Sequence, residues 1–248
     1  MIVVKLGGSV MTRKEEPETV DHGALDRAAV AVAGAVEAGA DVVVVHGGGS
    51  FGHHHAERHG VTDTAGTHDP AALLDVHGAM KRLNDAVVEA LVAHDVGAAP
   101  VHPFSVAHRD RDGDPTFPSG GIATMVAEGF VPVLHGDGVP HRGEGVTVLS
   151  GDEIVVELAR SLSADRVGLC STVPGVLRDG EVIDEIRSYD EVADVLGGSD
   201  ATDVTGGMAG KVRQLLALSA PATVFGLDDL EGFLAGERVG TVIRGGDD

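Results

Sequence analysis

Residues 41–53 read Asp41-Val-Val-Val-Val-His46-Gly47-Gly48-Gly49-Ser50-Phe51-Gly52-His53. Four consecutive valines leave no polar face, so this stretch suits a strand buried on both sides, as in a parallel sheet covered by helices. The glycine turn that follows frees backbone N–H groups, and a helix opening there would point its positive end at an anion. The same order recurs at the start, where Ile2–Leu6 is a short apolar strand ending in Gly7-Gly8-Ser9, with Lys5 supplying charge.

Working outward, Leu25, Ala29, Val32 and Val36 recur at helical spacing, and Gly39 stops that helix. Val76, Met80, Leu83, Val87 and Leu91 form the stripe of a long amphipathic helix. Strands are predicted at Ala98–His102, Val131–His135, Arg166–Cys170, Ala222–Phe225 and Thr241–Ile243, and helices at Asp152–Leu162 and Thr205–Leu218. Asp110–Ser119 is rich in turn formers and reads as a loop or hairpin. Strands alternating with helices predict a three-layer α/β/α sandwich around a mostly parallel sheet. The region around Asp137–Gly145 is the expected boundary between an N-terminal lobe, residues 1–140, and a C-terminal lobe, residues 141–248, on one continuous sheet.

The 248 residues, 43% apolar, can build a full core, and a lone cysteine, Cys170, excludes a disulfide scaffold. No apolar run approaches the ~20 residues of a membrane span, and the N-terminus reads as strand and turn rather than a leader. The expectation is a soluble, cytoplasmic protein. Lys+Arg is 18 against Asp+Glu 39, a net charge of −21 spread along the chain. Such a surface suits high salt, where the Debye length shrinks to ~3 Å and self-repulsion is screened. It also argues against nucleic acid or an anionic membrane as partner, because both need a basic footprint.

Against that background the four lysines are informative. Lys5, Lys14 and Lys211 sit in or beside glycine turns, and Lys81 is the fourth. Asp203-Val-Thr-Gly206-Gly207-Met-Ala-Gly-Lys211 leads from a glycine turn into a helix, yet it misses the phosphate-loop pattern, with Thr205 in place of the first glycine and Val212 in place of Ser or Thr. Gly47, Gly49 and Gly52 satisfy a dinucleotide spacing, but residues 61–70 are a loop where a strand with an acidic residue is required. In the run His53-His54-His55, only His55 and His59 have the spacing of a metal-binding pair, and no third ligand accompanies them. His54 and His59 read as solvated histidines, whereas His53, just after the glycines, can reach a bound anion. Lysines and glycine turns gathered at one sheet edge suit phosphoryl transfer, which is mainly positioning and neutralisation of charge.

With those motifs in place, the chain resembles the amino acid kinase superfamily and, within it, the isopentenyl phosphate kinases. The resemblance runs from Lys5-Leu-Gly-Gly-Ser9 through Gly47-Gly-Gly-Ser-Phe-Gly-His53 and the His77-Gly-Ala-Met-Lys-Arg-Leu-Asn84 helix to Lys211 and Gly240-Thr-Val-Ile243. It implies ATP and Mg2+ as cofactors, isopentenyl phosphate as acceptor, and a homodimer. Lys5, Gly7, Gly8 and Ser9 would touch the ATP phosphates, Lys14 would stabilise the transferring group, and Gly49, Thr172, Gly207 and Lys211 would lie on the nucleotide side. Gly48, His53 and Gly151 would hold the acceptor, and Asp152 would orient the lysines. The chain departs from the superfamily at Ser171-Thr-Val-Pro-Gly-Val176, where many members carry two carboxylates. Rivals are a fosfomycin-kinase-like enzyme, a dinucleotide-dependent oxidoreductase and a non-catalytic anion-binding protein.

Overall fold

The computed structural model describes residues 1–196 and 207–245. Asp203, Val204, Thr205 and Gly206 of the third glycine motif therefore lie outside the described residues. In chain order the first half contains β1 (Ile2–Leu6), α1 (Gly8–Met11), α2 (His22–Glu37), β2 (Val42–His46), α3 (Gly49–His59), α4 (Pro70–Val92) and β3 (Ala98–Pro100). It continues through β4 (His108–Arg109), β5 (Pro115–Thr116), α5 (Gly120–Ala127), β6 (Val131–His135), β7 (Asp137–His141) and β8 (Gly145–Leu149). The second half contains α6 (Gly151–Ser161), β9 (Arg166–Ser171), β10 (Leu177–Arg178), β11 (Glu181–Val182), β12 (Glu185–Ile186), α7 (Ala193–Leu196), α8 (Gly207–Leu216), β13 (Ala222–Gly226), α9 (Leu230–Ala235) and β14 (Thr241–Ile243).

Among the described residues, eight strands form one sheet in the order β12-β14-β13-β9-β1-β2-β6-β3, parallel throughout except where β13 meets β14. Every residue of β1, β2 and β6 is buried, as a sheet covered on both faces requires. The alternation of side chains divides the core in two. Ile2, Val4 and Leu6 of β1 pack with α2, α4 and α9, whereas Val3 packs with α5, α6 and α8. Three layers follow from that division.

Helix starts are chemically marked. Asp21 caps α2 by accepting from Ala24 N–H, and Asp69 caps α4 beside Pro70. Ser150 and Glu153 form a reciprocal capping box at α6. One boundary differs from expectation. Ala98–His102 keeps strand form only to Pro100, because Pro103 opens a short 3-10 turn. The region of the expected lobe boundary holds β7 and the turn into β8; these two strands pair antiparallel, and β4 and β5 complete a side sheet. Among the described residues no helix is long and apolar enough to cross a membrane.

Candidate active site

Register decides which turns meet. Leu6 lies level with His46 on one side and with Cys170 on the other, and His46 lies level with His135. The turns after β1, β2, β6 and β9 therefore converge at the carboxyl edge of the sheet, where open parallel sheets bind ligands. A cavity of about 330 Å³ opens there. Its walls are Lys5 of β1 with Gly7 and Ser9 after it, Gly47, Gly48, Gly52 and His53 after β2, Gly136 and Asp137 after β6, and Ser171 at the end of β9 with Thr172 after it. The start of α6, from Ser150 to Glu153, together with Lys211 and Gln214 of α8, closes one end. Val61, Val76, Met80 and Val148 give the other end an apolar wall.

The charge at the first end follows from the fold. Alternation along β1 turns Lys5 to the α6 face, where Asp152 sits in the first turn of α6. Lys5 Nζ lies 2.7 Å from Asp152 Oδ1, with both side chains at or below 10% exposure. Lys211 Nζ reaches within 3.8 Å of Asp152 Oδ2. One buried carboxylate thus lies within reach of two ammonium groups. Gly151 is a glycine for a local reason: a Cβ there would approach His46 O and Lys5 Cε at 3.2 Å.

Two glycine turns are packed onto each other. A Cβ on Gly8 would lie 2.1 Å from Gly49 N, and one on Gly49 would lie 2.2 Å from Thr12 Oγ1. Gly49 also holds φ +49, which L side chains disfavour. Thr12 completes the junction, donating to Gly8 O at 2.8 Å and accepting from Ser50 N–H at 3.0 Å. Gly8 and Gly49 are therefore contact points between turns and do not line the cavity, unlike Gly7, Ser9, Gly48, His53, Gly151, Asp152, Thr172 and Lys211. Gly207 opens α8, one turn before Lys211. Lys14 stands apart, exposed in the loop of residues 13–19 outside the cavity wall.

The histidine run separates along α3. His53 faces the cavity and His54 is exposed. His55 is buried, with Nε2 2.6 Å from Glu18 Oε1. His59, read from sequence as solvated, is instead partly buried and 2.8 Å from Asp75 Oδ2. The reason is that α4 lies along α3 and brings Asp75 to it. His55 and His59 thus take separate carboxylates, and the described residues contain no group of three or more His, Cys, Asp or Glu side chains placed to hold a metal ion.

A second tract of ionisable groups went unread in the sequence. His77 Nδ1 on α4 lies 2.9 Å from Asp137 Oδ2, whose side chain is fully buried and also accepts from Phe104 N–H. His102 Nδ1 bonds His135 Nε2 at 2.9 Å, and the rings of His135 and His46 stack at 5.5 Å. Burial pushes the His46 pKa down to about 4, and burial likewise holds His135 well below the usual imidazole value. Burial raises Asp137, against the hydrogen bond from His77. A neutral His46 that donates from Nδ1 to Gly47 O must accept at Nε2, which calls for the NH2 of Asn84 there. With Asn84 Oδ1 facing the ring, Nδ2 has no partner; exchanging the two ends of the amide gives both groups one. The signal for Asp137 was present in sequence: Gly136 follows β6 as Gly47 follows β2.

Comparison with known proteins agrees with this geometry. The model of the amino acid kinase family matches residues 1–221. The isopentenyl phosphate kinase of Haloferax volcanii is 61% identical over 246 residues, 99% of each chain. That of Methanothermobacter thermautotrophicus is 34% identical over 271 aligned positions, again 99% of each chain. Among solved structures, an X-ray structure of isopentenyl phosphate kinase superposes with a TM-score of 0.84 at 28% identity, over 98% of this chain and 99% of that one. From its strand order, its cavity and these full-length matches, the chain belongs to the amino acid kinase family and, within it, to the isopentenyl phosphate kinases.

Proposed function

We propose that this protein transfers the γ-phosphoryl group of ATP to isopentenyl phosphate, giving isopentenyl diphosphate and ADP. The observation that carries the reading is one cavity with a two-lysine cluster at one end and an apolar wall of Val61, Val76, Met80 and Val148 at the other. His53 and the opening turn of α3 lie in the same wall. The cationic end suits the nucleotide phosphates, His53 and Gly48 suit the phosphate of the acceptor, and the apolar wall suits a five-carbon tail. An oxygen of the acceptor phosphate bonds to the γ-phosphorus as the bond to the β–γ bridging oxygen breaks. That oxygen is already ionised near neutral pH, so no strong general base is needed. Lys5, Lys211 and Lys14 offset the charge of the in-line transfer, and Asp152 orients the first two.

Of the carboxylates lining the cavity, Asp63, Asp137, Asp152 and Glu153, Asp152 is engaged by Lys5 and Lys211, Asp137 by His77 and Glu153 by Arg109. Mg2+ therefore fits best as a partner of the nucleotide's own phosphates, where it neutralises developing charge. In this reading Thr172 and Gly207 serve the nucleotide, Gly151 lies near the acceptor, and acceptor binding falls mainly to the N-terminal lobe. A homodimer in a cytoplasm of high salt completes the proposal; sedimentation and activity in molar KCl test both parts.

The decisive assay is ADP release with Mg2+-ATP and isopentenyl phosphate, fosfomycin or N-acetylglutamate as acceptor, followed by His53→Ala. Turnover is expected on isopentenyl phosphate, and the variant should lose about 100-fold or more in kcat/KM for it. Its ATP affinity should stay unchanged. Wild-type kinetics in His53→Ala would overturn the assignment of the acceptor site.

A further inference from the structure

The loop that carries Lys14 is fastened at its far end by a side chain that the transfer chemistry does not use. Residues 13–19 close on themselves through Arg13 N–H to Thr19 O at 2.9 Å, and they lean on the start of α3 through Glu18 N–H to Ser50 O at 3.2 Å and Thr19 N–H to Ser50 Oγ at 3.3 Å. The Glu18 carboxylate then reaches two helices at once. It accepts from His55 Nε2 on α3 at 2.6 Å and from Arg82 Nε and Nη2 on α4, each at 2.9 Å. Arg82 presents its planar fork to the carboxylate, the geometry that fixes orientation as well as charge.

The backbone at Glu18 and the balance of its contacts mark it as more than a surface charge. Its backbone holds φ +51, a left-handed conformation in which a glycine would be relaxed and a glutamate is not. Such strain persists where the surroundings over-determine it, and here the bend delivers this one carboxylate to its partners. Burial would raise its pKa, but the hydrogen bonds from His55 and Arg82 outweigh burial and hold it below the usual carboxylate range. His55, for its part, lies two residues after His53 on the same helix, so the clasp joins the Lys14 loop to the element that carries the candidate acceptor ligand.

We infer that Glu18, gripped by His55 and Arg82, is a positioning residue that holds the Lys14 loop against α3 and α4 for phosphoryl transfer. The inference rests on the proposed role of Lys14, and the test separates the two. Arg13 and Lys14 are exposed tryptic sites, so the loop reports on its own restraint. In Glu18→Ala, trypsin should cut the native protein after Arg13 or Lys14 about fivefold faster or more, with product masses giving the position. The same variant should lose about tenfold in kcat with little change in either KM. In a Lys14→Ala background, Glu18→Ala should cost nothing further, because two residues acting through one group are not additive. Arg82→Gln, which leaves the His55 contact in place, should fall between wild type and Glu18→Ala in both readouts.

An equal loss of kcat in the presence and absence of Lys14 would overturn the positioning role. Unchanged cleavage in Glu18→Ala would overturn the clasp itself. If Lys14→Ala alone left kcat untouched, the reading of Lys14 would fail, while the cleavage rates would still report whether Glu18 holds the loop.

Discussion

The Lys5–Asp152–Lys211 cluster and the tract from His46 through His135 and His102 to His77 and Asp137 occupy the same sheet edge, at nearly the same height along the strands. One is ionic and faces the cavity. In the other, His46 and His135 lie wholly inside the protein, and burial drives them toward the neutral form. Solvent access accounts for the difference. Lys5 reaches from the strand end toward an opening where a helix N-terminus and an incoming anion can share its charge. His46 and His135 are the last residues of their strands, with no exposed surface, and their ring nitrogens meet Gly47 O and Gly136 O. A charge there would carry a large desolvation cost, so histidine serves as a neutral strut that shapes the turn it precedes. The comparison teaches that the glycine turns are steadied from behind by uncharged groups and loaded from the front by charged ones.

Removing the charge should have the largest effect. Lys5→Met keeps the stem of the side chain and deletes the ammonium 2.7 Å from Asp152. The expected outcome is a loss of about 1000-fold in kcat, read as ADP release, because a preorganised cation is lost where charge moves during transfer. Near-normal turnover would show that the ionic cluster is structural and would erase its contrast with the histidine tract. A smaller effect, on stability rather than rate, is expected where the two regions approach each other. His77→Ala leaves the fully buried Asp137 carboxylate with backbone donors alone, and should lower unfolding free energy by about 2–3 kcal/mol in denaturant titration. His77→Asn, which restores a donor, should recover part of that loss.

How much of this could be read in advance depends on how local each feature is. Val42–Val45 declares a doubly buried strand within four residues, and Ser150 with Glu153 declares a helix start within four more. The glycine-rich opening of α3 and the place of His53 after it follow from the same short-range grammar. The β7–β8 hairpin was hidden because Gly138, Pro140, Gly143 and Gly145 are turn formers, and they outweigh the alternation of Thr147 and Leu149 with Val146 and Val148. The histidine tract depends on β2 lying beside β6, and the Glu18 clasp joins residues 18, 55 and 82. No spacing in the chain encodes such neighbours. They come from strand order and helix packing. Even the glycines were legible only in part, since the sequence shows that Gly8 and Gly49 need room but not that each fills the room of the other.

The mildest perturbation sharpens the comparison on the neutral side. His46 titrates near its ordinary value of about 6.5 when unfolded and at about 4 in the fold. On acidification the unfolded chain therefore takes up the proton first. Stability is unaffected by this group above roughly pH 7, declines as the pH falls below about 6.5, and levels off only below about 4, for a total on the order of 3 kcal/mol. His135 acts in the same direction. His46→Gln keeps a hydrogen-bonding amide and removes the titration. Carboxylates also titrate at the lower end of this range, so the informative quantity is the difference between variant and wild type in urea midpoints from pH 7.5 to 4.5. The variant should start slightly less stable and lose stability less steeply with acid, the two curves converging as the pH falls. Parallel curves would mean that His46 takes up its proton in the fold as readily as in the unfolded chain, so that burial does not hold the strut neutral, and its contrast with the lysine cluster would fall.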